Sequence, residues 1–435
     1  MAPRSRNAPR RWVTAAFVLT LSSCAPAGLG TGSASPSAPH SEDQVSPGPA
    51  VTPPTASATA SPGTTARESP SPTTTSSPPG TSTSPTATRP RSEGPSGPHS
   101  VTINFSGDLL WHDTLWESAR VDGGGSMDFA PQLAALEERV GAADVAICHS
   151  EVPFAEAGGP YSDYPMFKAP QEIAPALAGV GWDVCTTASN HSLDAGLAGL
   201  ARNIEVHRAN GILTAGTYAS AEDRNTPVVL TTADGVGVAV VSSTYGTNGI
   251  PLPEDAPWSV SLMDVEDTLA QAARARSAGA DIVVVHMHAG TEYESTPSQQ
   301  QVAFATALTA SEDVDLVIGQ HAHVVQPVTR MNGKWVAYGA GNLMAQSGPA
   351  QPWTYDGYLA TFTFSERADG TFTSTSGEFA PTMITKYRPG SPARVLVVSD
   401  ALAAANAQDA KLLRESAART RAIVLSAGVE GLVER

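Results

Sequence analysis

From Ser100 onward, short apolar runs of strand length alternate with stretches whose apolar residues recur at helical spacing. This alternation is the tightest constraint on the fold. "SVTINFSGD" (100–108), "ADVAICHSE" (143–151), "WDVCTTASNH" (182–191), "DIVVVHMHAG" (281–290) and "VDLVIGQHAH" (314–323) read as buried strands. Between them, "DFAPQLAALEERV" (128–140), "APQEIAPALAGVG" (169–181), "DAGLAGLARNIEVHRANG" (194–211), "VEDTLAQAARARSAGA" (265–280) and "SQQQVAFATALTAS" (298–311) read as helices, with Gly179 and Gly181 expected to stop the second. "TPVVLTTADGVGVAVVSSTYG" turns at Ala-Asp-Gly and reads as a hairpin. Residues 333–384 add further hairpins, and one last helix is expected from about Asp400 to Leu425. The order predicts a mixed α/β domain, parallel units first and antiparallel hairpins after them.

Upstream of this pattern the composition changes. Residues 1–24 carry Arg4, Arg6, Arg10 and Arg11, then a short apolar run from Trp12 to Leu21. The run is well short of the roughly 20 residues that span a bilayer and reads as a secretory signal. "LSSC" (21–24) resembles the lipobox of bacterial lipoproteins, so Cys24 is expected to carry a lipid and to anchor the protein to the outer face of the cell membrane. Residues 25–98 are almost entirely Pro, Ser, Thr, Ala and Gly. Too few apolar side chains are present there to offset ordering entropy, which predicts a disordered tether. The folded domain is therefore expected over residues 99–435. Beyond residue 40 the chain carries 22 basic and 42 acidic residues, a net charge of −20. That balance argues against a nucleic-acid partner, and it implies that metal, rather than Lys and Arg, meets an anionic substrate. Cys148 and Cys185 lie at strand ends. They read either as a disulfide, which export permits, or as two small buried apolar residues.

In α/β sheets, functional groups collect beyond the carboxyl ends of strands. Here those ends deliver Asp108, then His149 and Glu151, then Asn190 and His191, then His286 and His288, then His321 and His323. Hard oxygens mixed with imidazole nitrogens suit Mn, Zn or Fe. The donors exceed what one ion needs, so two divalent ions roughly 3.5–4 Å apart are expected. Gly319, just before the last pair, is expected to give the backbone the freedom to aim both imidazoles.

As an ordered set, Gly107-Asp108, Glu151, "SNHSLDAG" (189–196), "HAGTEY" (288–293), "GQHAHVVQP" (319–327) and "YGAGN" (338–342) resemble the motifs of CapA-type capsule (poly-γ-glutamate) synthesis proteins. The resemblance spans about residues 101–345. It implies a four-layer α/β/β/α sandwich with mixed sheets, similar to the calcineurin-like metallophosphoesterases. By position it implies Asp108, Glu151, Asn190, His288, His321 and His323 as metal ligands. His191 takes the part of acid or hydrogen-bond donor beside the scissile group, with Asp194 orienting it. The chain departs from the wider superfamily in three places. Leu110 stands where a His is usual, with His112 nearby; "CHSE" replaces a Gly-Asp-x-x-Asp motif; and Ser192 follows Asn-His in place of an acid. One ion is accordingly expected to be held more weakly. Glu292 is expected to support a His from behind, Asn342 to cap a turn, and Trp111, Trp116, Tyr161 and Tyr164 to line a groove or pack on the domain.

These readings imply a surface hydrolase acting on a phosphoester or capsule-polymer linkage. The alternative is a non-catalytic accessory that binds an anionic polymer and helps assemble or release it alongside capsule-synthesis membrane proteins. A secreted nucleotide-processing enzyme is a third reading.

Overall fold

The computed structural model describes residues 98–346 and 351–435, all within one compact unit. The expected signal peptide, Cys24 and the tether as far as residue 97 lie outside the described residues.

Two sheets carry the architecture. The first starts with four parallel strands: β1 (Ser100–Leu109), β2 (Val145–Ser150), β3 (Val184–Thr186) and β4 (Leu213–Ala215). The chain then builds the second sheet from β5 (Val229–Thr231), β6 (Gly237–Thr244), β7 (Ile282–His288), β8 (Leu316–Gln320), β9 (Val328–Met331) and β10 (Lys334–Ala337), in the order β5-β6-β7-β8-β10-β9. β6, β7, β8 and β10 run parallel, while β5 and β9 join as antiparallel hairpins. The chain finally returns to the first sheet. β11 (Asn342–Met344) lies parallel to the end of β1, β12 (Asp356–Glu366) is antiparallel to its start, and β13 (Phe372–Ile384) follows β12. β14 (Val395–Val397) and β15 (Leu432–Glu434) both pair with β13.

Strand alternation explains the layers. Ile103, Phe105, Val145, Ile147 and Val184 face inward and meet Val238, Val240, Ile282, Val284, Leu316 and Ile318 of the other sheet. Each such side chain, fully buried, contributes about 1.5–3 kcal/mol. The alternate residues face out under helices. Ala146, Cys148 and Cys185 pack with Leu115, Leu133, Ile173 and Leu177, and Val283, Val285 and Val317 pack with Ala272, Phe304 and Leu308. The result is the expected α/β/β/α sandwich with two mixed sheets.

Several local expectations changed. Residues 128–140 break into Ala130–Leu133, a 3-10 turn at Ala134–Leu136 and Glu137–Gly141. Gly181 alone ends the helix Ile173–Val180, with a left-handed φ of 109°. The last helix is two, Val398–Leu402 and Ala407–Val424, because Asn406 accepts from Gln408 N and Asp409 N and starts a fresh turn. β15 lies beyond the last expected element. Cys148 and Cys185 are register partners on β2 and β3 and form a disulfide, with Cα atoms 4.4 Å apart. They are therefore both buried and cross-linked. Trp111 and Trp116 are buried in the core, whereas Tyr164 is exposed.

Candidate metal centre

The site is the inter-sheet core carried one or two positions further. On β2, Val145 and Ile147 face inward, so His149 and then Glu151 follow on the same face. On β7, Ile282 and Val284 are followed in the same way by His286 and His288. On β1 the register shifts between Phe105 and Asp108, so that Asp108 stands opposite His149. That bulge turns the carboxylate toward the ligands. All five of these polar residues are buried.

Glycine makes the convergence fit. A Cβ on Gly107 would lie 2.2 Å from Gly341 O, and one on Gly319 would lie 2.2 Å from Tyr338 O. Gly319 therefore serves close backbone approach. Its φ is not left-handed, so the expectation that it supplies conformational freedom is corrected. The turn is made by the histidines themselves, with φ of 99° at His321 and 55° at His323. Non-glycine residues held there cost roughly 1–3 kcal/mol each and cluster at functional sites.

The ligand atoms are grouped. One atom from each of Glu151, His321 and His323 lies within 4.8 Å of the others; the same holds for Asp108, His149 and Glu151, and for His149, His286 and His288. Asn190 joins them, its Oδ1 2.8 Å from His288 Nε2 and its Nδ2 donating to Asn248 Oδ1 at 3.1 Å. His288 Nε2 is 3.7 Å from Glu151 Oε1, and His323 Nε2 is 3.6 Å from the same oxygen. His323 Nδ1 donates to Asn342 Oδ1 at 3.0 Å and lies 3.3 Å from Asp108 Oδ2. Asn342 was expected to cap a turn; it holds His323 instead.

Electrostatics describe a cluster built for cations. Both oxygens of Glu151, His321 Nδ1 and His288 Nδ1 are buried without a hydrogen-bond partner, an arrangement that costs free energy unless something fills it; Asp108 is met by His323 and by the His321 backbone. Burial lifts Glu151 to about 7 against the pull of His323. Burial raises Asp108 as well. His323 goes the other way from its neighbours: burial would lower it, but Glu151 and Asp108 together carry it to about 10. Burial holds His321 at about 3, helped by the charges of His323 and His191, and His288 lies well below its ordinary value for the same reason. The donor set of carboxylate oxygens, an amide oxygen and neutral imidazoles fits divalent ions such as Mn, Zn or Fe.

Beside the ligands stands a dyad. His191 Nδ1 is 2.7 Å from Asp194 Oδ2, which also accepts from Phe167 N at 2.8 Å. The Phe167 ring meets His191 edge-on at 4.9 Å. This fixes the imidazole plane and leaves Nε2 free of Asp194.

The structure thus brings together all eight residues expected from sequence. His112 does not replace the missing His at Leu110: its Nδ1 is taken by Leu110 O at 3.2 Å and Gln346 N at 3.1 Å, and it belongs to none of the ligand groups among the described residues. Glu292 is exposed, and its charge adds to the pull on His323. His149 and His286 stand at strand ends but fall outside the ligand set the motifs imply. Their spacing of two from Glu151 and His288 was the signal that placed them on the ligand face.

The chain is similar to several known proteins. The family model for bacterial capsule synthesis protein PGA_cap matches residues 102–347, more than half of the chain. The "PGA biosynthesis protein CapA" of Bacillus subtilis is 26% identical over 203 residues, covering 46% of this chain and 52% of that protein. The "Capsule biosynthesis protein CapA" of Bacillus anthracis is 28% identical over 207 residues, covering 47% and 49%. The chain thus matches about half the length of these curated relatives. Among solved structures, the calcineurin-like phosphoesterase YfkN of Bacillus subtilis aligns over 74% of this chain and 98% of that one, at 14% identity and a TM-score of 0.43. From its motifs and the family match, the chain belongs to the bacterial capsule synthesis protein family PGA_cap.

Proposed function

We propose that the protein is a metal-dependent hydrolase of capsule or poly-γ-glutamate biosynthesis, acting on a phosphoester or polymer linkage. The observation that carries this reading is the His191–Asp194 dyad set against a cluster of buried, partnerless ligand atoms. Two divalent ions, held by Asp108, Glu151, Asn190, His288, His321 and His323, would polarise the substrate oxygen and lower the pKa of water. The chain's own residues do the rest. Asp194 holds His191 Nδ1, so the imidazole presents Nε2 to the leaving group and can give it a proton. Burial of the ligand residues keeps bulk water from the reacting centre.

A binding-only role is favoured by one observation. Leu110, where the superfamily has a His, is buried among apolar residues, and His112 does not take its place. The full chain, assayed for bound metal and for hydrolysis of phosphodiesters and poly-γ-glutamate, separates the two. Turnover that disappears with a chelator and with His191→Ala supports the hydrolase. Polymer binding that survives His191→Ala but not Asp108→Ala, with no turnover in the wild type, supports the accessory.

The same reading places the domain outside the cell, tethered through a lipid on Cys24 near capsule-synthesis membrane proteins. Metabolic labelling with a radioactive fatty acid tests this: Cys24→Ser abolishes the label if the anchor is real.

A further inference from the structure

Three imidazoles behind the rim carry an inference of their own. His149, His286 and His288 are each fully enclosed, and each brings one ring nitrogen within 4.8 Å of the other two. The His149 ring centroid is 4.6 Å from that of His286 and 4.8 Å from that of His288. His149 Nε2, His286 Nε2 and His288 Nδ1 have no hydrogen-bond partner.

The other nitrogens are held. His149 Nδ1 lies 2.9 Å from Thr186 Oγ1 and 3.2 Å from Thr186 O. The carbonyl only accepts, so Nδ1 carries the proton and Nε2 keeps its lone pair. His286 Nδ1 lies 2.8 Å from Ser242 Oγ. His288 Nε2 is turned to Asn190 and Glu151. A ring held at one nitrogen with a bare lone pair at the other is how proteins orient histidines toward a metal. Gln320 lies within hydrogen-bonding reach of His286, so a metal-bound His286 is the tautomer in which Nδ1 donates to Ser242 Oγ.

We propose that His149, His286 and His288 hold an additional transition-metal ion, buried beneath the two-ion rim, with a structural role. Imidazole nitrogens without a carboxylate of their own select Zn, Co, Ni or Cu over Mg or Ca. Complete enclosure leaves no approach for substrate. The ion joins β2 of the first sheet to β7 of the second where their apolar contacts end. This inference rests on the rim reading only in sharing His149, which also lies near Asp108 and Glu151, and His288; serving both sites requires His288 to give up its Nε2 proton to solvent and bridge the ions as an imidazolate. His286 belongs to the inner group alone.

The test uses the full chain, stripped with chelator, reloaded with Co2+ alone and passed through gel filtration. The expected result is one Co2+ per chain fewer in His286→Gln than in the wild type. Asp108→Ala should lose rim metal yet still be stabilised against heat by Co2+, an effect that vanishes when His286→Gln is added. Equal metal content in wild type and His286→Gln overturns the proposal. Should His286→Gln fail to fold, anomalous scattering at the cobalt edge from wild-type crystals decides. A peak among the three imidazoles supports the proposal, and peaks confined to the rim sink it. A peak at the inner group alone overturns the rim reading and leaves this one standing, whereas no peak anywhere overturns both.

Discussion

The two halves of the ligand cluster solve the same burial problem in opposite ways. At the rim, Asp108, Glu151 and His323 are buried together, and mutual attraction holds His323 protonated to about 10. In the interior, burial drives His149 and His288 well below their ordinary values and His286 to about 3, so those rings are neutral. Asp108, Glu151 and His323 therefore use compensated charge, while His321 and the interior rings avoid charge. Only the rim has carboxylates able to bridge two ions, and only the rim lies beside the His191–Asp194 dyad. On the two proposals above, chemistry would belong to the first half and scaffolding to the second.

The largest expected effect breaks the rim. Asp108→Ala should lower hydrolysis by about 10⁴-fold and remove rim metal, because it deletes a ligand and leaves His323 facing one carboxylate instead of two; steady-state rates with metal analysis check this. His191→Ala comes next, at about 10²–10³-fold, with metal content unchanged. The loss should shrink for substrates whose leaving group needs no proton, such as a nitrophenol, and an equal loss across leaving groups would contradict an acid role. Asn342→Ala should weaken rim metal binding by about tenfold, since it frees His323 Nδ1; competition with a chromogenic chelator measures it.

The smallest effect is a pH signature that sharpens the contrast. In metal-free protein, the depressed values of His286 and His321, both about 3 in place of 6.5, mean the unfolded chain binds more protons below pH 6.5. Stability is therefore lost as pH falls from 6.5 toward 3. Glu151 and His323 have raised values, so the folded chain binds more protons, and stability is lost as pH rises through about 7 and again through about 10. The melting temperature of metal-free protein should peak near pH 6.5 and fall on both sides. Metal loading should flatten the alkaline side, where ions replace the protons on Glu151 and His323. An alkaline limb that is equally steep with and without metal would count against the rim assignment.

Much of this was legible in the residues. Strand-end position identified Asp108, Glu151, His288 and His323, because in parallel strands the ends are where side chains leave the core together. The same position offered Asn190, His191 and His321, and the motif resemblance added Asp194 and the division into ligands and acid. The sheet to which each strand belongs was not legible. β12 and β13 follow β10 in sequence yet join β1, since pairing depends on which inward face each strand completes, and alternation alone does not name the partner. The histidine pair at 149 and 286 was visible but unassigned, because its meaning depends on two sheets meeting. The Cys148–Cys185 bond depended on a register that only the pairing of β2 with β3 supplies. Gly319 was singled out for the wrong reason: crowding by Tyr338 O is a tertiary fact that a local sequence does not display.

The left-handed turn at His321 and His323 has a consequence for how this protein can be altered. A residue there is selected against its backbone preference and for its imidazole alone. Replacing His321, at φ 99°, with glycine relaxes the chain. His321→Gly is therefore expected to raise the melting temperature of metal-free protein while it weakens metal binding. Selection for thermal robustness alone would drift toward glycine at this turn, and the loaded site would be what disappears first.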